Sequence, residues 1–358
     1  MIHDIIRYID MFSGIGGFRE GLTRAGGFEC TGHCEIDEHA DRSYRALFDT
    51  DGEWFCRDAR EADPAAMPDF DLLCGGFPCQ AFSIAGRRDG FGDPRGTLFF
   101  ELSRLAEARK PAYLLFENVP GLLNHDGGRT FAAILHTLDG LGYGVEWQVL
   151  DSKDHGVPQA RRRLYIVGYL DGRCAGKVFP FTEAAGTALM QVRAGGQGER
   201  VYSPKGVSCT LAAGAGGFAG RTGLYDMAGM PVKEATKKGY KLAYPGDSID
   251  LSYATQNTRR GRVGRGIAHT LTTSCTQGTL IPDETGASPY GRVRRLTPRE
   301  CLRLQGWRDD QIDKVLAIQS ENQVYKQAGN GVTVNVVEAI GRRIAAVDAE
   351  LRGMPDAH

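Results

Sequence analysis

The residues most open to a chemical reading lie in Gly75-Gly76-Phe77-Pro78-Cys79-Gln80-Ala81-Phe82-Ser83, just after the apolar run from Phe70 to Cys74. A buried strand would end there and open its side chains into a cleft. Pro78 fixes its own backbone angle and Gly75 and Gly76 permit unusual ones, so the segment suits holding one thiol in one direction, as a nucleophile requires. Taken alone, a cysteine is more often a small buried hydrophobe. A second segment, Phe116-Glu117-Asn118-Val119-Pro120-Gly121, follows another apolar run (Tyr113 to Leu115) and ends in a Pro-Gly turn. Two strand ends thus offer a thiol and a carboxylic acid. Ligands of open parallel sheets bind beyond the carboxyl ends of the strands, where Cys79 and Glu117 would face one cavity. By itself Glu117 would serve equally well as a helix cap or a salt-bridge partner.

The third element is Ile9-Asp10-Met11-Phe12-Ser13-Gly14-Ile15-Gly16-Gly17-Phe18, a strand running into a glycine-rich turn and then a helix-like stretch to Ala25. Such a turn lets backbone approach a nucleotide, and Glu35 follows at the offset where a carboxylate on the next strand end can meet ribose hydroxyls.

In this order the motifs resemble those of the cytosine-5 DNA methyltransferases. The resemblance runs through Phe12-Ser13-Gly14-Ile15-Gly16, Glu35, Asp58, Pro78-Cys79, Glu117-Asn118-Val119, Gln159-Ala160-Arg161-Arg162-Arg163, Arg295 to Glu300 and Gln327-Ala328-Gly329-Asn330-Gly331-Val332, most of the chain. It implies transfer of a methyl group from S-adenosylmethionine to carbon 5 of cytosine in double-stranded DNA, in a bacterial or phage restriction-modification setting and without a metal. A separate cognate restriction endonuclease is a candidate partner, and the chain itself is expected to act as a monomer.

Carried residue by residue, the resemblance makes Cys79 the nucleophile on ring carbon 6 and Glu117 the donor at ring nitrogen 3. Arg163 meets the cytosine carbonyl oxygen and Arg161 steadies the site. Phe12, Gly14 and Gly16 surround the methionine and adenosine, Glu35 takes the ribose hydroxyls, Ile36 one adenine face and Asp58 the adenine amino group; Pro78, Leu98 and Asn330 complete that pocket. Gln80, Ser83 and Arg95 belong to a segment, with Gly86, Gly90 and Gly92, that would close over a flipped-out base on the DNA side. The family's usual Gly-Asn-Ser-Val reads Gly329-Asn330-Gly331-Val332 here, which removes a hydroxyl from the cofactor edge.

These groups need a scaffold. Up to about residue 180, short apolar runs (Tyr8 to Met11, Thr31 to Glu35, Leu72 to Cys74, Tyr113 to Glu117, Gly144 to Leu150, Arg163 to Tyr169) alternate with amphipathic stretches at 38–48, 97–109 and 129–140. That is the pattern of a doubly wound, Rossmann-like α/β sheet. From about 181 to 290 the texture turns to Gly, Thr, Ser and Arg, with Gly206 to Leu211 echoed by Gly266 to Leu271. We read a smaller, irregular β-rich domain there. The expected division is 1–180 for catalysis and cofactor, completed by a C-terminal helix in 322–350, and 181–321 for target recognition, closed by helical segments from Thr297 and from Ile312.

Arg259, Arg260, Arg262 and Arg265 cluster in the β-rich part, and arginine suits bidentate contact with phosphate or a guanine edge. The net charge of −1 gives no global attraction for nucleic acid, so a DNA-facing surface must be a local patch. A length of 358 residues suggests two lobes. Nine cysteines without a pairing pattern indicate a reducing compartment, and no apolar run approaches 18 residues, so a soluble protein of the cytoplasm and nucleoid is expected.

Rival classes fit less well. A zinc deaminase needs Pro-Cys-x-x-Cys after His-x-Glu, and Phe82 stands where the second cysteine would be. A nicotinamide dehydrogenase would need Gly-x-Gly-x-x-Gly and leaves Cys79 with Glu117 unexplained. The tRNA-type relatives on the same scaffold carry Cys-Phe-Thr and a shorter recognition region. A non-catalytic DNA-binding module would have no use for the catalytic set.

Overall fold

The structure is a computed structural model describing residues 5–77, 98–181, 191–193, 201–202, 224–225, 229–252, 261–281 and 292–353. Contacts divide the chain into two units: residues 1–181, 272–274 and 297–358, and residues 182–271 and 275–296.

The first unit is built on seven strands: β1 (Ile6–Met11), β2 (Phe28–Cys34), β3 (Trp54–Cys56), β4 (Leu72–Gly76), β5 (Tyr113–Asn118), β6 (Gly144–Asp151) and β7 (Arg162–Tyr169). Their spatial order is β3-β2-β1-β4-β5-β7-β6. The first five pair in parallel, whereas β7 runs antiparallel to both β5 and β6. The connection from β6 to β7 holds a short 3-10 turn and no α-helix, too little chain for a crossover, so the pair closes as an antiparallel edge.

Helices α1 (Gly17–Ala25), α2 (Glu38–Leu47), α3 (Leu98–Arg109) and α4 (Arg129–Gly140) lie between the strands. Alternation along each strand feeds two cores, one per sheet face. Tyr8, Leu72 and Cys74 pack with Phe18 and Leu22 of α1 and with Val336, Ile340 and Ile344 near the C-terminus. Ile9, Met11 and Leu73 pack on the other face with Phe99 and Leu102 of α3 and Ile134 and Leu138 of α4. Winding reverses between β1 and β4, which opens a crevice at their carboxyl ends.

The second unit carries short strands: β8 (Gln191–Arg193), β9 (Val201–Tyr202), β10 (Leu224–Tyr225), β11 (Met230–Lys233), β12 (Tyr240–Ala243), β13 (Ser248–Asp250), β14 (Val263–Gly264), β15 (Gln277–Ile281) and β16 (Arg292–Arg295). They form sheets of three (β10-β9-β8), two (β11-β12) and four strands (β14-β13-β15-β16). Val232, Ala243, Ile249, Val263 and Leu280 make a core shared by the two- and four-stranded sheets.

Helices α5 (Pro298–Leu304), α6 (Asp309–Leu316), α7 (Glu321–Asn330) and α8 (Val334–Gly353) follow. Pro298 occupies the first turn of α5 beneath a reciprocal cap between Thr297 and Glu300. By contacts the first unit resumes at 297, where the sequence suggested 322. Arg308 and Gln311 reach the buried Glu20 of α1 at 2.7 and 2.6 Å, and Gln305 donates to the Ala328 carbonyl at 2.8 Å, so α5 and α6 belong to the first unit.

Candidate active site

A cavity of about 650 Å³ opens at the carboxyl ends of β1, β2, β4 and β5. Phe12, Gly14, Glu35, Ile36, Asp58, Leu98, Glu117, Arg161, Arg163 and Asn330 all line it, so one space gathers residues more than 300 positions apart in sequence. Gly16 does not line it. It ends the turn at φ +91°, where an added Cβ would lie 2.3 Å from Phe48, so backbone and packing demand glycine there. Pro78, Cys79, Gln80, Ser83 and Arg95 lie outside the described residues, as do Arg259 and Arg260.

At the nucleotide-like end, Glu35 follows the last residue of β2. Its Oε2 accepts the Gly14 N–H at 2.7 Å and its Oε1 the Asp37 N–H at 2.8 Å. Burial raises the Glu35 pKa, and the two backbone donors work against that rise. Ile36, next to it, is 59% exposed, an apolar side chain left uncovered at the cavity wall. Asp58 meets Arg60, which donates to its two oxygens from Nε (2.9 and 3.1 Å) and Nη2 (2.5 Å) and holds its pKa low.

At the other end, Glu117 sits one residue before the end of β5, and Arg163, one residue into β7, approaches it with Nε 3.0 Å from Oε1. Both side chains are about one-seventh exposed. Burial raises the Glu117 pKa, opposed by Arg163 and Arg161. Asn118 ties two strand ends together, since its Nδ2 donates to the Phe77 carbonyl at 2.9 Å and its Oδ1 accepts the Val119 N–H at 2.8 Å. Phe77 is two residues before Cys79 in sequence.

Arg161 is 2% exposed. Its Nη2 donates to the carbonyls of Gly329 (2.9 Å) and Gly331 (2.7 Å), and desolvation pushes its pKa down to about 10. It thereby fixes the Gly-Asn-Gly edge that presents Asn330. Gly331 has an ordinary extended backbone, and a Cβ there would lie 3.2 Å from the Gln327 carbonyl, so φ does not dictate glycine at this position.

Sequence reasoning gave no role to Arg57, Arg60, Lys326 or Gln327, which also line the cavity. Arg60 had a signal, because it stands two residues after Asp58 where a turn can fold it back. Gln327 stood in the motif that carries the resemblance but without a role, and Lys326 had no signal beyond its nearness to it.

In the second unit Arg262, expected on the DNA side, is enclosed by the protein's own backbone. Arg262 is 4% exposed; its Nε and Nη2 donate to the Asp250 carbonyl (3.2 and 2.8 Å) and its Nη1 to that of Lys233 (3.2 Å). It braces β11 against β13. Arg265 is exposed, with its guanidinium 5.5 Å from the Tyr244 ring.

The cavity fits a nucleoside cofactor: a glycine turn at one wall, a backbone-held carboxylate with lone pairs to spare, an uncovered apolar side chain and a second carboxylate. Comparison with known proteins agrees. The chain is 33% identical to the Type II methyltransferase M.HhaI of Haemophilus parahaemolyticus over 95% of its own length and 94% of that protein. It is 36% identical to M.HpaII of Haemophilus parainfluenzae over 94% and 88%. Its fold matches the crystal structure of S. pombe Dnmt2 methyltransferase with a TM-score of 0.57 at 16% identity, covering 97% of this chain and 99% of that one. The model of the C-5 cytosine-specific DNA methylases matches residues 6–200 and 209–346, and the chain belongs to that family as a DNA cytosine-5 methyltransferase.

Proposed function

We propose that the chain methylates carbon 5 of a cytosine swung out of double-stranded DNA, through a covalent adduct with Cys79, with S-adenosylmethionine as methyl donor. The observation that carries this reading is the half-buried Glu117–Arg163 pair in the same cavity as the backbone-held Glu35. An acid and a cation at one end and a ribose-ready carboxylate at the other are what a cytosine and a nucleoside cofactor would need side by side.

Carbon 5 of cytosine is a weak nucleophile. Attack by the Cys79 thiolate on carbon 6 forms a C–S bond, and the displaced electron pair moves through the ring toward nitrogen 3, where Glu117 supplies a proton. Carbon 5 then has enamine character; the bound cofactor supplies the methyl group as an electrophilic sulfonium. Loss of the carbon 5 proton returns the electrons, breaks the C–S bond and releases Cys79. Burial favours a Glu117 that holds a proton, while Arg163 beside it favours its return to the carboxylate, a balance suited to a group that both gives and regains a proton. Arg163 would also meet the cytosine carbonyl oxygen, and Arg161 holds the site through the Gly329–Gly331 edge. The second unit, with Arg265 among its exposed cations, would read the target sequence. The chain would act as a monomer in the cytoplasm on nucleoid or phage DNA, alongside a separate cognate endonuclease.

Cys79→Ser tests the mechanism. The variant should bind DNA and cofactor with little change and give no turnover, and wild type should be trapped covalently on DNA carrying 5-fluorocytosine, whose fluorine cannot leave as a proton does. Bisulfite sequencing of DNA from cells expressing the chain reads activity and motif together. Methylation by Cys79→Ser at the wild-type rate would overturn the adduct.

A further inference from the structure

The carboxylate reserved for ribose is itself held by a chain of contacts that ends on α7. Glu35 Oε1 accepts the Asp37 N–H at 2.8 Å. Asp37 caps α2, its Oδ1 taking the N–H groups of His39 (2.9 Å) and Ala40 (3.4 Å), and its Oδ2 takes the Lys326 ammonium at 2.6 Å. Lys326 comes from α7, 289 residues along the chain, and both it and Asp37 line the cavity. The next residue, Gln327, donates to the His39 carbonyl at 3.0 Å and accepts from Ser43 Oγ at 3.2 Å, so α7 grips the start of α2 at two adjacent positions.

Helix stability does not explain this lysine. A cation at a helix N-terminus opposes the macrodipole, and a half-exposed ion pair contributes little on its own. What the contact does achieve is to fix the Asp37 side chain, and with it the turn whose N–H aims Glu35 into the cavity.

We propose that Lys326 is a cofactor-positioning residue, acting through Asp37 to hold Glu35 toward the two hydroxyls of the ribose. This rests on the reading of the cavity as the S-adenosylmethionine site.

The test is calorimetric binding of S-adenosylhomocysteine and of its 2′,3′-dideoxy analogue to the full chain, together with steady-state kinetics. For Lys326→Met, affinity for S-adenosylhomocysteine should fall by about tenfold, the size expected for one charge-assisted hydrogen bond. KM for the methyl donor should rise in parallel with kcat nearly unchanged. The dideoxy analogue, lacking the hydroxyls, should bind wild type and variant alike. Lys326→Arg should recover most of the loss, and Asp37→Asn, which keeps a capping side chain, should reproduce it, with the double variant no worse than either single one. If Lys326→Met proves unstable, Asp37→Asn carries the same test. Unchanged affinity in a well-folded variant, or equal loss for both ligands, overturns the positioning role. Failure of wild type to bind S-adenosylhomocysteine would instead sink the cofactor reading, and this inference with it.

Discussion

The two units differ in where their charged residues gather, although buried Arg161 and Glu20 of the first also serve as framework. In the first, Glu35, Asp58, Glu117 and Arg163 stand at or just beyond strand ends and converge on one cavity, while the two apolar cores lie behind them on either face of the sheet. In the second, the best-buried charged groups turn inward: Arg262 onto backbone carbonyls, Glu234 onto the N–H groups of Arg262 and Val263, Asp247 onto those of Tyr244 and Gly266. The difference follows from element length. Long strands bury enough apolar surface for a scaffold, whereas strands of two to five residues, with a central cluster of five buried apolar side chains among the described residues, leave backbone groups that side chains satisfy. Charge therefore gathers at a cavity in one unit and serves largely as framework in the other.

The largest expected effect would break that contrast from the catalytic side. Glu117→Gln should lower the methylation rate by about 10²–10⁴-fold, the range for removing a general acid, with little change in cofactor affinity. Loss of cofactor binding with an intact single-turnover rate would make Glu117 framework too.

Arg262→Ala tests the other side. Stripping buried carbonyls of their donors should cost about 1–3 kcal/mol of stability in denaturant titration. A variant as stable as wild type but impaired in target choice would restore the DNA-facing reading of Arg262.

A smaller effect should distinguish its exposed neighbour. Arg265→Ala should leave stability within about 0.5 kcal/mol, weaken DNA binding and, if the contact is to phosphate, reduce the salt slope by about one. Wild-type binding across a salt titration would move the readout elsewhere in the unit.

The last prediction concerns a buried carboxyl group that the mechanism does not use. Asp10, one residue before the end of β1, is fully buried, its Oδ2 has no hydrogen-bond partner among the described residues, and burial raises its pKa well above the ordinary carboxylate value. A raised carboxyl pKa favours the folded state at low pH, and that contribution is lost as pH rises from the unfolded value toward the folded one. Asp10→Asn removes this loss, so its melting temperature relative to wild type should climb between pH 5 and pH 8. A pH-independent difference would show that Asp10 is already charged in the fold.

Much of the first unit was legible because strand and helix periodicity is local. The apolar runs ending at Cys74 and Glu117 and the turn at Phe12 to Gly16 mark where side chains must emerge, and the structure gathers Phe12, Gly14, Glu35, Asp58, Glu117 and Asn330 accordingly. Less was legible where function depends on contacts across the chain. The short β3 gives too little pattern to stand out, and the antiparallel edge of β6 and β7 depends on what their connection can span. The boundary at 297 was set by Arg308 and Gln311 meeting Glu20, a pairing no local signal announces.

What the sequence alone determined was the order and type of most elements of the first unit and the residue types at their ends, since propensity, capping and apolar period act over a few residues. Tertiary structure decided which charges are framework and which face the cavity. Arg262 and Arg265 are three residues apart with the same side chain, yet one is enclosed by backbone carbonyls and the other lies open, because burial and the partners available at that depth are properties of the packed chain.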